Sequence, residues 1–93
     1  MTTARARHIL TKTKTECLNL LDQLNNGADF AELAEKYSLC PSGKKGGDLG
    51  EFKPGMMVKE FDKIVFRCEL GEVHGPIKTQ FGYHLIEILE RKD

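Results

Sequence analysis

Two helix-start signals in the first half of the chain restrict its fold more than any other feature. Thr13 with Glu16, and Asp29 with Glu32, each have the spacing of a capping box, in which two side chains bind free amide groups at a helix start. Apolar residues follow each signal at the helical spacing i, i+3, i+4 and i+7: Cys17, Leu20, Leu21 and Leu24, then Phe30, Leu33, Ala34 and Tyr37. The sequence therefore predicts two short amphipathic helices, with a stop between them at Asn26-Gly27.

Strand patterns lie near both ends of the chain. Apolar and polar residues alternate over residues 5–11, which predicts a first strand. Two further strands are predicted over residues 73–78 and 83–90, joined by the hairpin Thr79-Gln80-Phe81-Gly82. Consecutive strands joined by so short a turn are expected to pair in antiparallel fashion.

The middle of the chain combines a loop with a third helix. Residues 38–55 are rich in Gly, Lys and Pro, which predicts a loop containing a short strand at about 49–53. Residues 58–68 predict a helix, and one face of it carries Phe61, Ile64, Val65 and Cys68. The order strand, helix, helix, strand, helix, strand, strand predicts an α+β fold, with helices packed on a mostly antiparallel sheet.

Length and charge narrow the range of functions. The 93 residues are enough for a single domain, predicted as 1–93, with one compact core. The 14 Lys and Arg residues balance 14 Asp and Glu residues, so no overall field would attract nucleic acid or anionic membranes. Lys44, Lys45 and Lys53 only weakly suggest a nucleic-acid accessory domain, because lysines on a Gly-rich loop usually form a solvated surface.

Cysteine usage and the start of the chain bear on the compartment. No apolar run is long enough to cross a membrane, and the segment from Met1 to Arg7 lacks the apolar core of a secretory signal. Cys17, Cys40 and Cys68 form no Cys-x-x-Cys pair, which disfavours a disulfide framework and a zinc site. We expect a cytoplasmic protein with reduced thiols, without a metal or a membrane partner.

A phosphate-binding loop and a Cys-His hydrolase are two interpretations of the sequence, and the signal for each is weak. The segment Gly43–Gly47 fails as a phosphate loop, because Ser38 stands where a Walker A motif needs its first glycine and a second lysine stands where it needs Ser or Thr. A Cys-His hydrolase would combine Cys40 with His8 or His84. Such chemistry also needs an electropositive setting that orients the thiolate, which the sequence does not supply.

A more specific pattern combines histidines, a cysteine and apolar residues. His8 and His84 lie in predicted strands on faces that also carry apolar side chains, and Cys40 lies at the mouth of the Gly-rich loop. Taken singly, each has a structural explanation, since a histidine on an apolar strand face is more often a hydrogen-bonded core residue. Several apolar residues surround the loop and its exits: Leu49, Met56, Met57, Phe61 and Phe81.

Four segments match one family in order and at the right intervals. They are Ala6-Arg7-His8-Ile9-Leu10, the loop from Cys40 to Gly50, Met57 to Phe61 followed by Phe66, and Gly75 to His84. Over the whole chain the sequence resembles the parvulins, a family of peptidyl-prolyl cis-trans isomerases. It is most similar to the small stand-alone bacterial type called peptidyl-prolyl isomerase C.

The resemblance implies a fold and a site. The fold would be a four-stranded antiparallel sheet wrapped by helices, FKBP-like, in the order β-α-α-(α)-β-α-β-β with the bracketed helix optional. The pocket for a substrate proline ring would be formed by Leu49, Met57, Phe61 and Phe81. A polar network beneath the rotating bond would be formed by His8, Cys40, Thr79 and His84. Phe81 stands where some relatives carry Ser, so the depth of the pocket can differ from theirs.

The resemblance also implies an activity and its partners. The chain would accelerate rotation of Xaa-Pro bonds in unfolded or nascent polypeptides, as a monomer and without a cofactor, because no covalent bond has to break. Parvulins that prefer phosphorylated residues carry a long basic loop after the first strand, whereas this chain has only Thr11-Lys12-Thr13-Lys14-Thr15. We therefore expect phospho-independent activity with uncharged or apolar residues before proline. A proline-binding chaperone module without significant turnover is the alternative.

Overall fold

The computed structural model describes residues 2–67 and 69–92. Its strands and helices follow the predicted α+β order. The elements are β1 (Thr3–Thr11), α1 (Lys14–Asn25), α2 (Phe30–Tyr37), β2 (Asp48–Phe52), α3 (Lys59–Val65), β3 (Val73–Thr79) and β4 (Gly82–Lys92), with a 3₁₀ helix over Pro41–Lys45 before β2. Within these described residues, no helix is both long enough and apolar enough to cross a bilayer.

The four strands form one antiparallel sheet in the order β2-β1-β4-β3. The two long strands, β1 and β4, pair at the centre, and the shorter β2 and β3 form the edges. Successive side chains of a strand point to opposite faces of its sheet. The first and last segments of the chain therefore supply neighbouring side chains on both faces of the central pair.

Helices α1 and α2 begin where the capping signals predict. The Thr13 hydroxyl accepts from the Glu16 N–H at 3.2 Å, and the Asp29 carboxylate accepts from the Glu32 N–H at 3.0 Å. The reciprocal half of the predicted capping box is not formed at Thr13, because the Glu16 carboxylate accepts from the Thr13 hydroxyl instead of from a backbone amide. Both helices bury most of their apolar stripes against one face of the sheet, which gives a first hydrophobic cluster: Ile9, Cys17, Leu20, Phe30, Leu33, Ala34 and Leu85. Tyr37, the last residue of the second predicted stripe, is instead 52% exposed. We call this the closed face.

The opposite face of the sheet packs against α3. Its second hydrophobic cluster consists of Ala4, Ala6, Phe52, Phe61, Val65 and Ile86. This face also carries His8 and His84, because they have the same strand parity as the buried Ala6 and Ile86. We call it the site face.

The structure differs from the sequence prediction in the loop and in α3. Part of the predicted loop is the 3₁₀ helix, which corresponds to the optional helix of the family pattern. Helix α3 ends at Val65 instead of 68, because Phe66 leaves the helix and packs edge-on against Phe52 with ring centroids 5.9 Å apart. The predicted helical position Cys68 lies outside the described residues.

Candidate functional site

The site is built around two histidines that the central strands bring together. In the β1–β4 register, His8 lies opposite Ile86 and Leu10 lies opposite His84, so the two histidines are diagonal neighbours on the site face. Their Nδ1 atoms are 3.2 Å apart, within hydrogen-bond distance. His8 is 5% exposed and His84 3% exposed. Two imidazoles are therefore buried side by side, each needing partners for its ring nitrogens.

A chain of hydrogen bonds extends from this pair in both directions. The His84 Nε2 lies 2.7 Å from the Thr79 Oγ1, which also accepts from the Phe81 N–H at 3.1 Å. The His8 Nε2 lies 3.1 Å from the Ser42 Oγ. Ser42 in turn donates to the Cys40 Sγ at 3.3 Å. The contacts connect all four residues predicted for the polar network, with Ser42 as the link between His8 and Cys40.

The donors and acceptors of this chain fit a single direction. Since the Ser42 hydroxyl donates to Cys40, its oxygen accepts from the His8 Nε2–H. The bare His8 Nδ1 then accepts from the His84 Nδ1–H, which leaves the His84 Nε2 to accept from the Thr79 hydroxyl. Both histidines are neutral in this arrangement, and every ring nitrogen has a partner.

Electrostatics favours the same neutral state. Burial, assisted by the nearby His84 ring, lowers the pKa of His8 to about 4. Burial likewise lowers the pKa of His84 to about 4, against the opposing effect of the Glu60 carboxylate. At neutral pH both rings are therefore uncharged, and the network presents fixed dipoles instead of an ionic charge.

Phe61 holds the two imidazoles from one side. Its ring lies edge-on to His84, with centroids 4.7 Å apart and planes at 90°, and edge-on to His8 at 5.3 Å and 77°. Phe61 is only 4% exposed. Because α3 begins two residues earlier at Lys59, its first turn places this ring against the histidine pair.

The loop that carries Cys40 reaches β1 through two glycines. Gly46 and Gly47 have φ angles of +71° and +84°, a region that side chains with a Cβ rarely adopt. The His8 N–H donates to the Gly47 carbonyl at 3.0 Å, and a Cβ on Gly47 would lie 2.3 Å from the His8 carbonyl oxygen. This close approach ties the Cys40 loop to the strand that carries His8.

An apolar cavity of about 440 Å³ lies over the polar network. Its lining consists of His8, Leu10, Leu39, Cys40, Pro41, Leu49, Met57, Phe81 and His84. Three of the four predicted pocket residues, Leu49, Met57 and Phe81, are in this lining. Phe61 is not, because it is buried against the imidazoles. Thr79 lies beneath the cavity as the partner of His84.

Comparison with known proteins identifies the family. Residues 2–92 match the family model described as the PPIC-type PPIASE domain. The chain belongs to the parvulin family. It is 46% identical over 87 residues to the foldase protein PrsA 4 of Bacillus cereus, an alignment that covers 92% of this chain and 31% of that protein. The parvulin chain thus spans about a third of the length of the curated relatives it matches.

Solved structures agree with this assignment. The crystal structure of the peptidylprolyl isomerase PrsA from Bacillus anthracis superposes with a TM-score of 0.95 at 35% identity, over 99% of this chain and 43% of that one. The solution structure of NmPin, the parvulin of Nitrosopumilus maritimus, gives a TM-score of 0.86 at 40% identity, over 97% of this chain and 98% of that one. The four-stranded sheet and its helices are those of the parvulin fold.

Several contributors to the parvulin site were absent from the sequence-based prediction. Ser42 joins His8 to Cys40, although only its place two residues after the cysteine hinted at that role. Leu10, Leu39 and Pro41 extend the cavity lining beyond the predicted pocket. No sequence spacing marks these three residues as one group. Leu39 lies in the segment after α2, and its N–H bonds to the carbonyl of Leu10 on β1 at 2.9 Å.

The site provides binding surface and dipoles instead of ionic ligands. Across residues 2–67 and 69–92, no group of three or more His, Cys, Asp or Glu side chains is placed to hold a metal ion. The cavity lining likewise contains no Lys or Arg. This parvulin site can therefore bind an apolar ring in its cavity. The polar groups beneath the cavity can then form hydrogen bonds to the bond next to that ring.

Proposed function

We propose that this chain is a peptidyl-prolyl cis-trans isomerase that accelerates rotation of Xaa-Pro bonds without forming a covalent intermediate. The observation that carries the proposal is the apolar cavity of about 440 Å³ placed directly over the hydrogen-bonded His8–His84 pair. Membership of the PPIC-type family supports the same activity.

The physical demands of the reaction match this arrangement. An amide rotates over a barrier of about 18–20 kcal/mol, and uncatalysed Xaa-Pro isomerisation takes tens to hundreds of seconds. During rotation the amide loses its resonance and much of its charge separation. An apolar cavity therefore favours the twisted amide over either planar form, which is differential binding of the transition state. An acceleration of about 10⁴-fold requires only about 5.4 kcal/mol.

The polar network has an electrostatic role in this proposal. The histidine pair fixes the orientation of Thr79 on one side and of Ser42 and Cys40 on the other. Preorganised dipoles need no rearrangement as the bond twists, so they stabilise the transition state more effectively than mobile water. Cys40 acts in this scheme as a fixed polar group and makes no attack on the substrate.

We propose unphosphorylated segments with apolar residues beside proline as substrates. The cavity wall continues into Leu39 and Phe81, which are 61% and 60% exposed and offer apolar contacts to flanking residues. A second hollow beside Cys40 is lined by one basic residue, Lys44, and one acidic residue, Glu35, so its two charges have opposite signs. Bidentate arginine pairs that bind phosphate strongly are absent from both linings.

Exchange NMR on an Ala-Leu-Pro peptide tests the activity directly. We expect cis and trans signals to exchange faster when the chain is added. The double variant Leu49→Ala, Met57→Ala changes two cavity-lining residues and leaves the buried Phe61 in place, so it should lose most of this effect while remaining folded. Absence of exchange with the folded native chain would overturn the proposal. A phosphoserine-proline peptide isomerised much faster than its unmodified twin would contradict the proposed specificity.

The same experiment separates the alternative, a proline-binding chaperone module without turnover. Relatives of this chain carry the names foldase and chaperone, and exposed apolar side chains beside the cavity suit the binding of unfolded segments. Saturable peptide binding without exchange would favour this second function. We take proline-containing unfolded or nascent polypeptides as the partners in either case.

We also propose a monomer in the cytoplasm. Among the described residues, Cys17 and Cys40 are free thiols, as expected in a reducing compartment. Exposed apolar residues that do not line the cavity, such as Leu18 on α1 and Leu89 on β4, lie on separate elements. Light scattering should give the mass of one chain, and fractionation should place the protein with cytoplasmic markers. A stable dimer or a secreted protein would contradict this part.

A further inference from the structure

The segment between β2 and α3 holds one wall of the cavity. Residues 53–58, which we call the Met57 loop, start with a turn in which the Met56 N–H donates to the Lys53 carbonyl at 3.2 Å. The loop ends at Val58, whose carbonyl accepts from the N–H groups of Phe61 and Asp62 at 3.0 and 3.1 Å. Met57 therefore lies between two backbone anchors.

Asp62 holds this loop at a second point. Its Oδ2 accepts from the Gly55 N–H at 2.7 Å, and Gly55 adopts a φ of +89°. The same residue also binds the Val58 carbonyl through its backbone N–H. The Asp62 side chain thus holds the Met57 loop before Met57, and the first backbone hydrogen bonds of α3 hold it after Met57. The neighbouring Phe61 contacts both histidines.

The second oxygen of the Asp62 carboxylate lowers the stability of the folded chain. The Asp62 Oδ1 is buried and has no hydrogen-bond partner, the single such side-chain atom in the described part of the chain. An unsatisfied buried acceptor destabilises the folded state, and more so when it carries charge. Exceptions of this kind in a folded protein call for a specific reason.

We propose that Asp62 is a positioning residue for the isomerase: its carboxylate fixes the Met57 loop so that the Met57 side chain stays at the cavity wall. Methionine has three rotatable bonds and little preference of its own, so its backbone must be fixed if the wall is to keep one shape. Asp62 itself is not in the cavity lining and acts through Met57. This inference rests on the proposed isomerase activity.

Three matched variants test the proposal. Asp62→Ala removes the acceptor for Gly55, whereas Asp62→Asn keeps an oxygen that can accept from the same N–H. Asp29→Ala removes a similar carboxylate acceptor at the start of α2, on the closed face, where the Glu32 N–H donates to it. We expect Asp62→Ala to raise KM about tenfold with kcat changed less than about twofold. Met57 is predicted to contact the proline ring, which keeps its shape while the bond rotates, so the binding that is lost is common to ground and transition states. We expect Asp62→Asn to keep the KM of the native chain. Asp29→Ala should lower the unfolding midpoint and leave KM unchanged.

A double variant tests whether Asp62 acts through Met57. If it does, adding Asp62→Ala to Met57→Ala should raise KM no further, since effects transmitted through one contact are not additive. An unchanged KM in Asp62→Ala, an Asn variant as impaired as Ala, or additive effects in the double variant would each overturn the proposal.

The positioning role of Asp62 can still be tested if the native chain shows no isomerase activity. Should the native chain bind a proline peptide without turnover, the dissociation constant replaces KM in the same comparison. Should it bind none, the Met57 methyl resonance still reports on the loop. We expect that resonance to shift and broaden in Asp62→Ala and to keep its position in Asp62→Asn and Asp29→Ala. An unchanged resonance in Asp62→Ala would contradict the positioning role.

Discussion

The two faces of the sheet use neighbouring residues of the same strands for different purposes. Ile9 and Leu85 enter the closed face, where α1 and α2 exclude water from an apolar core. His8 and His84, one position earlier in each strand, enter the site face, where the cavity opens over them. On the closed face even the Arg7 guanidinium is used for packing, 4.7 Å from the centre of the Phe30 ring, with Glu87 as its ion partner.

This difference shows how a small domain accommodates a destabilising site. Two neutral imidazoles with pKa values held near 4 resist protonation, and the unpaired Asp62 oxygen adds a further penalty on the site face. The closed face contains no comparable feature among the described residues. The groups that lower stability are thus concentrated on the side of the sheet that carries the site.

Acid should affect the site face first, and we expect the largest change here. An unfolded histidine titrates near 6.5, whereas His8 and His84 titrate at about 4 in the folded chain. Between these values the unfolded state binds more protons, so the free energy of unfolding falls as the pH is lowered. A shift of this size corresponds to a loss of about 3 kcal/mol for one histidine, and the loss is complete only below about pH 4. Urea titrations at intervals from pH 7 to pH 4 measure it.

A variant pair attributes this pH dependence to the buried histidines. His84→Asn should flatten the slope between pH 6.5 and pH 4, because one of the two depressed groups is gone. His74→Asn is the matched control, since His74 lies on β3 outside the pair and bonds to the Glu69 carbonyl. Equal slopes in the native chain and His84→Asn would show that the pair does not cause the acid sensitivity.

A cavity on the closed face should lower stability without changing the chemistry. Leu20 is buried in the first cluster on α1, and Leu→Ala in a packed core costs about 2–5 kcal/mol. We expect Leu20→Ala to lose stability in this range while keeping the turnover of each folded molecule. The comparison combines urea unfolding with exchange NMR at a temperature well below the unfolding midpoint. A fall in turnover of the folded fraction would show that the two faces are coupled.

The fold was predictable where the sequence carries local signals. Thr13 and Asp29 cap their helices as predicted, because a cap depends on residues only three positions away. The end of α3 was wrong by three residues, since it depends on the long-range contact between Phe66 and Phe52. Local patterns cannot contain such a contact.

The site was less predictable because its contacts join distant segments. His8 and His84 are 76 positions apart, and Ser42 is 34 positions from His8. Strand parity placed the histidines on an apolar face, and the family resemblance grouped them with Cys40. Neither could reveal Ser42 as the link, because that depends on how the 3₁₀ helix approaches β1. The assignment of Leu49, Met57, Phe61 and Phe81 to proline binding stays a prediction.

A smaller effect is expected from breaking the hydrogen-bond chain at Ser42. Ser42→Ala leaves the buried His8 Nε2–H without its partner, which costs about 1–3 kcal/mol. It also frees Cys40 from its fixed orientation, so kcat should fall more than KM rises. Thr13→Ala is the control, because it removes a hydroxyl acceptor at the α1 start for about 1 kcal/mol. A KM effect alone, or equal kcat losses in both variants, would argue against the role of Ser42.

The smallest change is expected at Cys40, and it decides between two chemistries. Cys40→Ser keeps a group that can accept from Ser42, and Cys40→Asp keeps an acceptor with more charge. If Cys40 only fixes a dipole, both variants retain appreciable turnover, and the Ser variant changes stability by less than about 1 kcal/mol. If Cys40 attacked the substrate, a covalent adduct would be detectable by mass spectrometry and its loss would abolish turnover. Another polar group can replace a dipole, whereas it cannot replace a nucleophilic sulfur. Complete inactivity of both variants with an intact fold would therefore reject the electrostatic role.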